Sequence, residues 1–166
     1  MHPSEWRKEM ITVILTKPEK MNKLFVERIK KSKGDVVGVL SSKPYFSVES
    51  ELKNSCKSKQ CLFIDTVSES KGENVIYIDP SNLTGLSIAI NQALQGLGKK
   101  TNIIFDSVSN LSIRNNQEVL SKFLMFIMSK SRDWKAEVIL VLPEDDSNSK
   151  IVSVAKQAAD KIEVKN

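Results

Sequence analysis

Histidine is nearly absent from this sequence and cysteine is scarce, and each shortage removes a class of chemistry. His2 is the one histidine, so Ser-His-Asp and Cys-His catalysis have no base and histidine-rich metal sites are excluded. Two cysteines, Cys56 and Cys61, are too few for a disulfide framework or a structural zinc site. Their C-x4-C spacing invites a redox reading. However, Cys56 closes a helical stretch and Cys61 opens an apolar run, so buried or half-buried free thiols are expected. No apolar run approaches the roughly 18 residues that span a bilayer. The start, Met1 to Lys8, has no apolar signal core after its charges. A cytoplasmic protein with no membrane partner is the expectation.

What is present fits one globular domain over residues 1–166, with an N-terminal segment over 1–10. Hydrophobic residues make up 40% of the chain and charged residues 27%, enough for a continuous core and wrong for disorder. The net charge of +5 is unevenly placed: residues 1–60 hold 13 Lys/Arg against 7 Asp/Glu, and residues 61–166 hold 12 against 13. A basic first half suits acidic partners such as nucleic acid or phosphates, and it equally suits lysines coating solvent-facing helices.

Short β-branched runs alternate with stretches of helical period. The runs are Ile11–Thr16, Val36–Leu40, Cys61–Asp65, Val75–Ile78, Asn102–Asp106, Val138–Leu142 and Lys161–Val164. Between them lie Glu19–Lys31, Ser47–Cys56, Leu83–Leu97, Gln117–Lys130 and Lys150–Ala159. Apolar residues on consecutive strand positions indicate cover on both faces. The rhythm predicts an α/β fold with a mostly parallel central sheet and helices on both faces. Gly98 is placed for a left-handed cap after the third helix. Residues 67–74 (VSESKGEN) read as a mobile loop.

Lys99–Leu111 reads KKTNIIFDSVSNL, an apolar strand ending in Asp106-Ser107. This resembles the Walker B strand of KaiC-like members of the RecA superfamily. FLMFI at Phe123–Ile127, VILVL at Val138–Leu142 and the closing Asp160 to Val164 follow in the family's order. VLSSKPY at Val39–Tyr45 and LFIDTV at Leu62–Val67 look like the second and third strands of its degenerate, often archaeal, members. The resemblance spans roughly residues 11–164 and implies a RecA-like fold.

The departures from that family bear on chemistry. A phosphate loop needs glycines whose backbone N–H groups wrap the phosphates, a lysine for the β/γ oxygens and a hydroxyl for Mg²⁺. Thr16–Lys23 contains no glycine, Pro18 lacks an N–H, and Glu19 brings a carboxylate near where a phosphate would sit. The family's catalytic Glu falls at Ser41-Ser42. Loss of both parts implies a domain that is not an enzyme and needs no cofactor.

Several residues remain candidates. Lys17, Lys20 and Lys23, near the first helix's start, read either as a vestigial anion site or as a solvated face. Asp65, Asp79 and Asp106, at strand ends, read as helix caps or as oxygen ligands for a cation. Asp106 reads as the vestige of an inherited metal site or as a cap, and with Ser107 it marks where a vestigial cofactor site would lie. The stretch Val119–Met128 is apolar nearly all round. Either the N-terminal segment, with Trp6 and Met10, covers its outer side, or Met125, Phe126 and Met128 form a contact with a protein partner or a second copy. A regulatory or scaffold role through protein contacts is therefore expected. The alternatives are a weak nucleic-acid-binding accessory protein and a nucleotide or phosphate sensor without hydrolysis.

Overall fold

A computed structural model describes residues 10–98, 100–144 and 149–166. The strands are β1 (Ile11–Thr16), β2 (Asp35–Leu40), β3 (Cys61–Asp65), β4 (Val75–Tyr77), β5 (Thr101–Phe105), β6 (Ala136–Pro143) and β7 (Lys161–Lys165). The helices are α1 (Met21–Lys31), α2 (Tyr45–Ser55), α3 (Leu83–Gln95), α4 (Gln117–Trp134) and α5 (Lys150–Ala158). All seven strands run parallel in one sheet of order β4-β3-β2-β5-β6-β1-β7.

Side-chain alternation splits the core in two. Val13 and Leu15 of β1, Val37 and Val39 of β2, and Ile103 and Phe105 of β5 meet α3, α4 and α5. Ile14, Val36, Leu40 and Ile104 meet Phe25 and Ile29 of α1 and Tyr45, Val48 and Leu52 of α2. A period of two explains the continuous apolar runs: each residue is buried, but on alternate faces. Gly38 sits among them without a side chain because a Cβ would meet the Phe63 ring at 2.6 Å.

Handedness explains which helices go where. From β2 the chain moves one way along the sheet to β3, and from β5 it moves the other way to β6. A right-handed crossover can reverse direction only by changing face. Hence α1 and α2 lie on one face and α3, α4 and α5 on the other. The reversal falls between the neighbours β2 and β5. Their connections depart to opposite faces, which is where a parallel sheet opens a crevice at its carboxyl edge.

Several local expectations differ from the structure. Cys56 and Cys61 are a disulfide and not free thiols. The turn from the end of α2 to the start of β3 brings their Cα atoms to 6.2 Å, within bridging range. Gly98 is not a left-handed cap. The helix α3 ends earlier, at Gln95, with Gly96 at φ −87°. Among the described residues Lys135 alone has a positive φ, 55°, and it closes α4. The helix α4 also runs to Trp134, which packs on the core. Residues 67–74 hold no helix or strand. Among the described residues no helix is long and apolar enough to cross a membrane.

Candidate functional site

Asp106 follows β5 at the carboxyl edge, beside the end of β2. It is 1% exposed, and its carboxylate turns onto the loop after β2. Oδ1 accepts from the Ser41 N–H at 2.8 Å and the Ser41 hydroxyl at 3.0 Å, and Oδ2 accepts from the Ser42 N–H at 3.1 Å. The Lys43 N–H also bonds to this carboxylate. Burial pushes its pKa up to about 6, against those bonds, which hold it down. The one Ser41 hydroxyl proton is shared between this carboxylate and the Ser107 carbonyl.

Asp65 performs the matching task on the other side of β2. It is fully buried and accepts from the N–H of Tyr45, the first residue of α2, at 2.7 Å. It also accepts from Val67 N–H at 2.8 Å, Ser68 N–H at 3.2 Å and the Ser70 hydroxyl at 2.9 Å. Residues 41–45 are thus held from both sides by buried carboxylates. In this way Asp65 caps α2, the helix before its own strand, and not the next helix along the chain. Pro44 occupies the N-cap position of α2 and gives no side-chain bond there, so Asp65 supplies the acceptor that the cap lacks.

Asp79 lies two residues beyond β4 and caps no helix. Its carboxylate accepts from the Ser81 N–H at 2.8 Å and the Ser81 hydroxyl at 2.6 Å. Asn82 is the cap of α3, accepting from Gly85 N–H at 2.9 Å. Among the described residues no cluster of three or more His, Cys, Asp or Glu is arranged to hold a metal ion. The three carboxylates therefore make no joint cation site.

A dent of about 380 Å³ opens beside Asp106, lined by Pro18, Met21, Ser42, Ser107, Ser109, Asn110 and Pro143. It joins the turn after β1, the loop after β2 and the turn after β5, where the resemblance puts a phosphate site. None of the seven described residues that line it is charged. Lys17, Lys20 and Lys23 stand near this edge but do not line the dent. Pro18–Lys20 forms a 3-10 turn leading into α1, and the Lys20 N–H is spent on the Lys17 carbonyl at 2.9 Å. Ser107 is 2% exposed and faces the Ser109 hydroxyl at 3.3 Å.

The contact candidates on α4 divide. Met125 and Phe126 are 49% and 45% exposed, and Val119, two turns before Phe126, is 47% exposed. Met128 does not share that surface: it is buried in the core with Leu124 and Ile127. Met10 packs against this core, whereas Trp6 lies outside the described residues.

Sequence reasoning found Asp65 and Asp106 but not what they hold, because their partners lie 20 and 65 residues away. In the sequence Asp35, with Gly34, marks only the close of the first helix. Its two oxygens accept from Gln60 N–H at 3.0 Å and Gly98 N–H at 2.8 Å, tying together connections at the amino edge. Compared with protein-family models and with curated protein sequences, the chain matches none.

Proposed function

We propose that this chain is a noncatalytic domain of the RecA/KaiC type that works as a regulatory or scaffold component through protein contacts. One observation supports the noncatalytic reading above others. The crevice where a parallel sheet presents its chemistry is filled by the chain's own hydrogen bonds, and none of the described residues lining the dent beside it is charged. Phosphoryl transfer needs cationic groups on the phosphates, a metal held by oxygen ligands and a group to orient the nucleophile. Asp106 is the one carboxylate at the expected strand end, and its two oxygens already serve loop donors. The all-parallel sheet, with the turn after β1 and Asp106 on one edge, is in keeping with the RecA resemblance.

The contact surface in this reading is the outer stripe of α4. Val119, Met125 and Phe126 are apolar and half-exposed on a helix that already gives Leu120, Leu124 and Ile127 to the core. Covering one such side chain is worth roughly 1.5–3 kcal/mol. Light scattering at micromolar concentration tests this reading. A mass above the 18.6 kDa of one chain is expected, returning to 18.6 kDa in a folded Phe126→Glu variant. A wild-type monomer of 18.6 kDa contradicts self-association through this helix.

A further inference from the structure

The amino edge of the sheet has a built feature that the protein-contact reading leaves unused. Because all strands are parallel, the α1–β2, α3–β5 and α4–β6 connections enter side by side at the neighbouring strands β2, β5 and β6. They enclose a cleft of about 390 Å³ lined by Lys31, Lys33, Lys100 and Lys135, with Glu137 as the one acidic residue among the described residues that line it. Arg28 also reaches it but is paired with Glu163. The four lysines are exposed, and among the described residues none of them pairs with a carboxylate.

The fold holds these charges in place. Gly34 lies so close to the neighbouring connection that a Cβ would stand 2.1 Å from the Lys100 carbonyl oxygen. The Asp35 N–H donates to that same carbonyl at 2.9 Å. Lys59 donates from its Nζ to the Ile29, Lys30 and Ser32 carbonyls, fixing the end of α1 beside Lys31 and Lys33. The Asn102 amide donates to the Ser32 hydroxyl at 2.6 Å across the floor. Cations at helix C-termini are favourable in themselves, which accounts for Lys31 and Lys135. The effect fades beyond the last turn, however. Lys33 lies past the end of α1, and Lys100 stands five residues past the end of α3. The helix ends give no reason for those two charges to meet.

We propose that this cleft binds the phosphodiester backbone of a single-stranded nucleic acid without reading its sequence. Lysines are mobile point charges suited to phosphate and carry no planar fork for base edges. Among the described residues no aromatic side chain lines the cleft, so none of them gives a base a ring to stack on. The site is a cleft, whereas reading a duplex groove takes a projecting helix or ribbon. Four lysines drawn from three connections span more than one phosphate, which favours a strand over a single anion. This inference stands apart from the noncatalytic reading: ATP turnover would overturn that reading and leave the cleft untouched.

Fluorescence anisotropy of a labelled oligothymidylate with the full chain, across a potassium chloride series, tests the proposal. With about four phosphates engaged, log affinity should fall by about 2.8 per log unit of salt. Lys33→Gln/Lys100→Gln should bind at least about tenfold more weakly near 50 mM salt, with roughly half that slope. A second pair, Lys31→Gln/Lys135→Gln, should behave alike, and an unchanged melting temperature shows that either variant is folded. Lys17→Gln/Lys20→Gln, at the opposite edge, should bind as wild type does. Salt-independent binding, no binding at low salt, or loss only in the Lys17/Lys20 variant overturns the proposal. So does stabilisation by inorganic phosphate with no response to the oligonucleotide, which would indicate a single-anion pocket.

Discussion

The two edges of this sheet treat charge in opposite ways. At the carboxyl edge, Asp65 and Asp106 are buried and saturated by N–H groups from residues 41–45 and 67–68. At the amino edge, four lysines face one cleft, and among the described residues none has an acidic partner. Parallel sheets ordinarily present ligand chemistry at the carboxyl edge, where helix N-termini and loops converge. In this chain that convergence has been turned inward to hold a loop. The lysine-lined cleft lies at the other end, where helix C-termini make cations easy to keep.

The largest effect expected from breaking this contrast comes from Asp65. Asp65→Ala strands the buried N–H of Tyr45 and also removes the acceptor of the part-buried Val67 and Ser68 N–H groups. Each buried donor left without a partner costs about 1–3 kcal/mol, partly recovered if water enters. A loss of about 2–4 kcal/mol is expected, or a melting temperature lower by roughly 5–15 °C. A change below about 1 kcal/mol would mean that Asp65 is not what holds the start of α2.

A smaller effect, with a definite sign, comes from Asp106. Its folded pKa, about 6, lies above the ordinary carboxyl value, so the folded state holds this proton more tightly than the unfolded chain. That contribution is fully present below about pH 4 and is lost as pH rises through about 6, amounting to about 3 kcal/mol. Glu163 titrates the other way. Burial pushes its carboxyl up, but the Arg28 hydrogen bond and charge outweigh this and hold it low. Its contribution is present above the ordinary carboxyl value and lost toward acid. Comparing wild type with Asp106→Asn by urea denaturation from pH 4 to 7.5 cancels Glu163, which both chains keep. Wild type should lose stability relative to the variant as pH rises. A flat difference would mean that Asp106 is not desolvated.

The smallest effect on stability belongs to the amino edge. Lys33→Gln/Lys100→Gln, the pair that tests nucleic-acid binding, should leave stability unchanged within about 0.5 kcal/mol, as exposed substitutions usually do. Any shift should be upward, since two like charges are removed. A large loss of stability would mean that these lysines are structural.

The sequence carried the strands and the faces well, because period-two alternation across five central strands leaves little choice. Ile103, Ile104 and Phe105 are apolar in succession since each has a covered face to enter. Ends were harder to read. Tyr45 starts α2 ahead of the apparent helical period because the acceptor for its N–H is Asp65, on a strand still to come. The Cys56–Cys61 bond was hidden by a helix-to-strand turn whose geometry spacing alone does not give. Met125, Phe126 and Met128 looked equivalent until the helix phase put Met128 inside. The amino-edge cleft was out of reach, since Lys33, Lys100 and Lys135 become neighbours only once strand order is known. Along the chain, Lys100 and Lys135 belong to the half with no surplus of positive charge.

Phosphate release from ATP with Mg²⁺ tests the central claim, that the carboxyl edge is structural, most directly. The full chain should release phosphate no faster than a sample without protein. A rate on the order of 0.01 per second that survives repurification and disappears in Asp106→Asn would contradict it, because that carboxylate would then be serving a nucleotide as well as its loop.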